Sequence, residues 1–205
     1  TLTWKDSTVK SLNKQIQFPF YNHAPVELGW TGNEAQILQR LSKDPAYRIL
    51  FKAAFPSAKK WITTNQVQAS IVAFEEQLTS YGSVYDLYLK GKKNVMDPEA
   101  VKGLGVFNSS KTNCSKCHQQ EKPFQQQAAR FVDGIRIPSL RNVWLTGPYM
   151  HDGRLDKLED VIDYYESRYS FELSKKEKQQ LIAFMKALTD TSYLSRRELL
   201  NPFQY

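Results

Sequence analysis

The sequence predicts an all-α protein, and three observations carry that prediction. Apolar residues recur at helical spacing in several windows, among them Val67, Ile71, Phe74 and Leu78 and, near the end, Leu181, Ile182, Met185 and Leu188. Helix-start signatures stand before such windows, as in Asp97-Pro98-Glu99 and Ser174-Lys175-Lys176-Glu177. No segment alternates apolar and polar residues as a half-buried strand would, and there is no fixed repeat or low-complexity tract. At 205 residues and 41% hydrophobic, the chain can build one large or two small domains with a real core. No apolar run approaches the roughly 20 residues of a membrane span.

Taken in order, residues 1–30 read as irregular, with Trp4, Pro19, Pro25 and Gly29 and no sustained period. From Asn33 the pattern turns helical through Ala35, Ile37, Leu38 and Leu41. It breaks at Asp44-Pro45, where Pro45 suits a first helical turn, and resumes through Tyr47, Leu50, Phe51 and Ala54. Asn65 is the expected cap of the next helix, whose inward stripe is Val67, Ile71, Phe74 and Leu78. Residues 81–93 form a basic connection with Gly82 and Gly91, and the predicted domains are 1–93 and 94–205. In the second, Val101, Leu104 and Phe107 face inward. Gly103 and Gly105 are poor helix formers, so a close backbone crossing is expected there. Residues 119–133 read as a polar, Gln-rich surface loop. A helix over about 157–169 puts Leu158, Val161, Ile162, Tyr165 and Tyr169 on one face. The last helix opens on the capping box at Ser174.

The most informative stretch is Cys114-Ser115-Lys116-Cys117-His118. C-x-x-C-H is the attachment signature of a c-type haem: two thiols form thioethers to the porphyrin vinyls, and the adjoining imidazole reaches the iron. These are the only two cysteines in the chain. The competing readings are a disulfide, a zinc half-site and a redox pair. A zinc site needs two more ligands, and only His23 and His151 remain; a redox pair belongs at a strand end in a βαβ unit, which is not visible. Covalent haem is made outside the bacterial cytoplasm, so the periplasm is the expected compartment. The chain opens at Thr1 without a methionine, and removal of a leader is the matching expectation. The net charge of +7 and pI near 9.3 come from scattered lysines with no basic recognition motif. An acidic redox partner, or simply a solvated surface, is expected, and no nucleic acid. For the second axial ligand, composition favours Met150 in the turn-rich 146–153 segment; Met185 reads as core packing, and Tyr165 ranks lower.

Several stretches resemble the bacterial di-haem cytochrome c peroxidases and their MauG-type relatives. They are Asn108 with Cys114 to His118, Arg136-Ile137-Pro138-Ser139-Leu140-Arg141-Asn142-Val143, Gly147-Pro148-Tyr149-Met150-His151-Asp152-Gly153-Arg154, and Leu158 through Tyr165. Residues 173–189 resemble the family's terminal helix, and Trp4-Lys5-Asp6, Ser11 to Gln15, Pro19 and Pro25 to Gly29 resemble the back half of its first haem domain. The resemblance implies a cytochrome c-like helical haem domain preceded by the helical remainder of a first haem domain. It implies a haem-dependent, peroxide-using oxidoreductase in which this chain carries the six-coordinate electron-transfer haem. Cys114, Cys117, His118, Arg141 and His151 then belong to that haem's site. It also reverses the ligand ranking: the family's distal ligand stands fourteen residues after the histidine of P-Y-x-H-D-G, and that position is Tyr165, with Met150 as the alternative. Tyrosine there is the MauG-type pattern and points to oxidation of a protein or small-molecule substrate. Family members carry two C-x-x-C-H motifs and this chain carries one, yet Glu27 matches the distal acid, Gln15 and Pro19 match pocket residues, and Trp4 matches the tryptophan between the haems. The implied arrangement is a first haem on a separate or released segment that pairs with this chain. The alternatives are that the first haem is lost, or that the chain is a mono-haem electron carrier with no catalysis of its own. A calcium ion between the haem domains is also implied, with backbone oxygens of Thr146 and Pro148 as ligands.

Overall fold

A computed structural model describes residues 8–9, 11–60, 62–118 and 131–201 of the chain. It divides into two compact units, residues 1–78 and 79–205, both built from helices.

In the first unit, residues read as irregular form two short helices, α1 (Leu12–Gln15) and α2 (Gln17–Tyr21). Pro19 lies within α2, whose brevity leaves few internal bonds for it to break. Helices α3 (Glu34–Lys43) and α4 (Pro45–Ala54) follow, separated at Asp44, whose side chain caps α4 by accepting from the Ala46 N–H at 2.8 Å. Helix α5 (Thr64–Gln77) starts at Thr63, not Asn65: Thr63 and Gln66 form a reciprocal capping box that satisfies two terminal N–H groups. The core is Ile16, Phe20, Trp30 and Val72, with the rings of Phe20 and Trp30 stacked at 4.5 Å. Gln68 and Val72 are the buried residues of α5, while Phe74 and Leu78, expected inward, are 47% and 48% exposed.

The second unit begins before the predicted boundary, and residues 79–93 pack within it. Helix α6 (Val84–Leu89) is capped by Ser83 and Asp86, and it buries Tyr85 edge-on against Phe184 at 5.3 Å. Asp86 receives a two-pronged contact from Arg141 at 2.7 and 2.9 Å, and the Gly82 N–H donates to Asp190 at 2.8 Å. A basic, glycine-containing sequence therefore reads as a linker although its apolar and acidic residues are anchored at long range. Helix α7 (Pro98–Asn108), capped by Asp97, crosses α10 (Lys175–Ala187), capped by Ser174 and Glu177. The crossing sits at Gly103, where a Cβ would meet the Gln180 carbonyl oxygen at 1.9 Å; Gly105, facing away, has no such neighbour. Phe107, Phe184, Leu181 and Leu188 fill the core beneath, and Val101 and Leu104 pack at its edge.

Candidate haem site

Helix α8 (Cys114–Cys117) is one turn long and starts from Asn113 in the left-handed conformation (φ 54°). Both cysteines are free thiols. Burial pushes the Cys114 thiol up, as expected of a sulfur packed at the edge of an apolar core. His118 follows directly, its N–H donating to the Cys114 carbonyl at 2.9 Å. Its ring Nδ1 lies 3.2 Å from the Pro138 carbonyl oxygen. A carbonyl only accepts, so this contact selects the tautomer with hydrogen on Nδ1 and leaves the Nε2 lone pair for a metal. Burial lowers the His118 pKa, the Pro138 contact opposing it, which favours the neutral ligating form.

Pro138 is delivered by a hairpin of β1 (Phe131–Val132) and β2 (Ile135–Arg136). Its turn is Asp133-Gly134, both residues left-handed (φ 52° and 75°), as a two-residue turn requires. The loop predicted over 119–133 thus ends in a strand turn, and residues 119–130 lie outside the described residues. The segment after it is pinned by Asn142, whose Oδ1 accepts from the Asp190 N–H at 2.6 Å and whose N–H donates to Leu188.

These elements enclose a cavity of about 920 Å³. Cys114, Cys117 and His118 line it, with Arg136, Met150, His151 and Tyr165, and with Leu140, Leu158, Ile162 and Met185 as apolar wall. That volume is in the range of enclosed cofactor sites, about 300–1,000 Å³. Two free thiols, an imidazole with one nitrogen engaged, and an apolar wall fit a haem in donor chemistry, and the volume is large enough for an organic cofactor. Tyr165 lies on α9 (Leu158–Tyr169), half-buried, on the cavity side as the helical projection predicts. Burial raises its pKa, and Tyr169, Tyr164 and Cys117 add to the shift. Tyr164, a quarter-turn away, also reaches the cavity. Met150 is half-buried in a left-handed conformation (φ 71°), beside the bridge between Tyr149 and Leu155. Met150 and Tyr165 therefore both remain on the lining.

Arg141 is not on that lining. Its guanidinium is held by Asp86, by the Ser80 carbonyl at 2.5 Å and over the Tyr81 ring at 4.8 Å, so it ties the segment before α6 to the haem unit. The cavity's half-buried arginine is Arg136, whose pKa burial lowers. The Asp133-Gly134 turn is the signal that could have located it, by placing Arg136 at the end of a hairpin. The Pro138 carbonyl carries no side-chain signal and was not legible. Thr146 and Pro148 are exposed at the cavity edge. Among the described residues no group of three or more His, Cys, Asp or Glu could hold a metal ion, so a cation there would rest on backbone oxygens.

In the first unit, the loop bearing Glu27 is tied back to α2: Leu28 N–H donates to the Pro19 carbonyl at 2.9 Å and Trp30 N–H to Phe20 at 3.1 Å. Glu27 is exposed, its Oε1 accepting from Asn22 Nδ2 at 3.2 Å. Gln15 is half-buried at the end of α1. Trp4 lies outside the described residues.

Fold and cavity together define a cytochrome c-like helical domain. The family model for di-haem cytochrome c peroxidase matches residues 1–94. The chain is 30% identical over 209 residues to cytochrome c551 peroxidase of Nitrosomonas europaea, covering 90% of this chain and 60% of that protein. It is 29% identical over 217 residues to the methylamine utilization protein MauG of Methylorubrum extorquens, covering 89% and 59%. A solved MauG-like protein associated with microbial copper homeostasis superposes with a TM-score of 0.84 at 28% identity, covering all of this chain and 76% of that one. The chain belongs to the di-haem cytochrome c peroxidase and MauG-type family. It spans about 60% of the length of these curated relatives.

Proposed function

We propose that this chain is the electron-transfer part of a haem-dependent, peroxide-using oxidoreductase, with haem c attached covalently to Cys114 and Cys117. One observation carries the proposal: the cavity presents two free thiols and a neutral imidazole oriented by Pro138, with Tyr165 on the same lining. A haem bound there supplies reversible one-electron storage. His118, with Nε2 free, and Tyr165 are the residues that would hold the iron. Burial alone keeps the Tyr165 phenol protonated, so the charge of a bound ferric ion is what makes it a hard anionic donor. Such a donor favours the oxidised state and oxidation of an organic substrate, whereas Met150 would favour the reduced state.

The peroxide chemistry belongs to a second haem c on a partner segment, docked on the first unit. Glu27 acts there as general base and acid, taking the proton from one peroxide oxygen and returning it to the departing one, with Gln15 and Pro19 shaping the pocket. Trp4 would carry electrons between this chain's haem and that second one. Calcium held by the Thr146 and Pro148 carbonyls would stiffen the edge of the cavity. The compartment is the periplasm; among the described residues no helix is long and apolar enough to cross a membrane.

Haem stoichiometry is the test. A pyridine haemochrome assay on the purified native assembly should give two haems per copy of this chain, one of them lost as covalent haem when Cys114 and Cys117 are replaced by Ala. One haem in the native assembly would instead make the chain a mono-haem electron carrier.

A further inference from the structure

We propose that Tyr169 is a redox-active surface residue, connected to the cavity through the ring of Tyr165, at which an aromatic hydrogen donor is oxidised. This rests on the peroxide-using reading above. The two rings are four residues apart on α9 and lie nearly parallel, with centroids 5.9 Å apart and planes at 4°. Tyr165 is half-buried on the cavity wall, and Tyr169 is 52% exposed while still reaching the same lining. One stacked pair therefore runs from the interior of the site to solvent.

Packing does not explain the outer ring. A tyrosine placed for the core would be covered, as Tyr85 is at 1% exposure. Tyr169 instead is held in place by polar chemistry. The Arg168 guanidinium lies 5.7 Å from its ring centroid and is itself ion-paired with Asp133 from the hairpin turn. A surface aromatic fixed in this way stays in register with its inner neighbour. Tyr164 meets Tyr165 edge-on at 5.4 Å under Arg154, a geometry with less ring overlap. The parallel pair is the better route for charge.

The chemistry balances with peroxide as the oxidant. One peroxide takes up two electrons and two protons and becomes two waters. In each of two passages, Tyr169 gives one electron inward along the rings and its hydroxyl proton to solvent, leaving a phenoxyl radical. A phenol- or indole-bearing donor at the surface then returns one electron and one proton. Tyr169 is restored, and the donor is left as a radical.

The test uses the complete two-haem assembly treated with peroxide and the spin trap 2-methyl-2-nitrosopropane, without substrate, followed by digestion and mass spectrometry. The adduct should fall on the peptide with Tyr169, several times more than on Tyr81, which is 44% exposed but off the cavity lining. Tyr169→Phe should abolish that adduct and slow the return of the peroxide-treated spectrum to the resting one severalfold, with the resting spectrum unchanged. Equal labelling of Tyr81 and Tyr169, or an unchanged return rate in Tyr169→Phe, overturns the inference. Adducts elsewhere but none on Tyr169 overturn it alone, whereas no peroxide-dependent radical on any residue overturns the peroxide-using reading with it.

Discussion

The second unit buries a large core of its own, and the first a small one. Around the crossing of α7 and α10, Phe107, Phe184, Leu181, Leu188 and Tyr85 are buried almost completely, and the cavity walls continue that core. In the first unit, α3 has a strongly one-sided apolar pattern and no buried residue, and Val26, Leu28, Ile49, Leu50, Phe74 and Leu78 are all well exposed. The second unit also exposes apolar side chains, Leu145 and Leu194 among them, so it is the size of the buried core, not exposure, that separates the two. The difference teaches that helical periodicity reports which face is apolar and not what lies against it. On the proposed function, the partner segment with the first haem would dock near Glu27, whose sequence neighbours Val26 and Leu28 are exposed.

Breaking the second unit's closure should have the largest effect. Arg141→Ala leaves Asp86 as a buried, unpaired carboxylate and should cost about 3–5 kcal/mol, measured by denaturant unfolding. Burial opposes ionisation of Asp86, but the hydrogen bonds from Arg141 and Ser83 outweigh it and hold its pKa below the ordinary range. A lowered folded-state pKa means stabilisation that is fully present above the ordinary aspartate value of about 3.9 and lost as pH falls through the lowered one. The Asp86 contribution should therefore be lost only in strong acid, and Arg141→Ala should weaken that part of the acid dependence. A variant as stable as the parent would show that residues 79–93 are not locked to the haem unit.

Next in size is the chemistry assigned to the first unit. Glu27→Gln keeps the shape and the Asn22 contact but cannot move a proton. Peroxide reaction of the complete assembly should slow by about a hundredfold or more in stopped-flow traces. Unchanged traces would leave the first unit a scaffold only. A smaller effect sharpens the contrast within one helix. Gly103→Ala forces a methyl into the Gln180 backbone and should destabilise by about 1–3 kcal/mol, whereas Gly105→Ala meets open space and should stabilise by up to about 1 kcal/mol. Equal thermal shifts would deny the close crossing.

How much was legible follows the same division. In the second unit the caps at Asp97 and Ser174, the close approach at Gly103 and the cavity-facing side of α9 were readable, because local chemistry and tertiary burial agree there. The partner of Arg141 was hidden for a physical reason: only the fold brings Asp86, fifty-five residues earlier, against its guanidinium. The hairpin that carries Arg136 was hidden because strands of two residues have no period to read. In the first unit, α5 was found and Val67 and Ile71 do pack against the core, but Phe74 and Leu78 at its end are exposed. Gln68 faces inward because it pairs with Gln17 at 2.9 Å, a polar satisfaction that a hydrophobic stripe does not encode.

Phe74 gives the smallest expected effect and the most direct test of that exposure. Its ring lies on α5 at 47% exposure, on the side of the stripe that ought to be inward. Phe74→Ser removes a ring that is about half in water already. The unfolding free energy should then move by about 1 kcal/mol or less, about half the free energy of burying a phenylalanine. A loss of about 3 kcal/mol or more is what deletion of a buried phenylalanine costs, and it would mean that the face is covered within the chain itself. The same substitution should weaken association with the haem-bearing segment by up to about 3 kcal/mol, the free energy of burying one phenylalanine side chain. Titration of the segment against the two versions of this chain reads that difference. Equal affinity with unchanged stability would place the segment elsewhere and leave the apolar face of α5 unexplained by the proposed assembly.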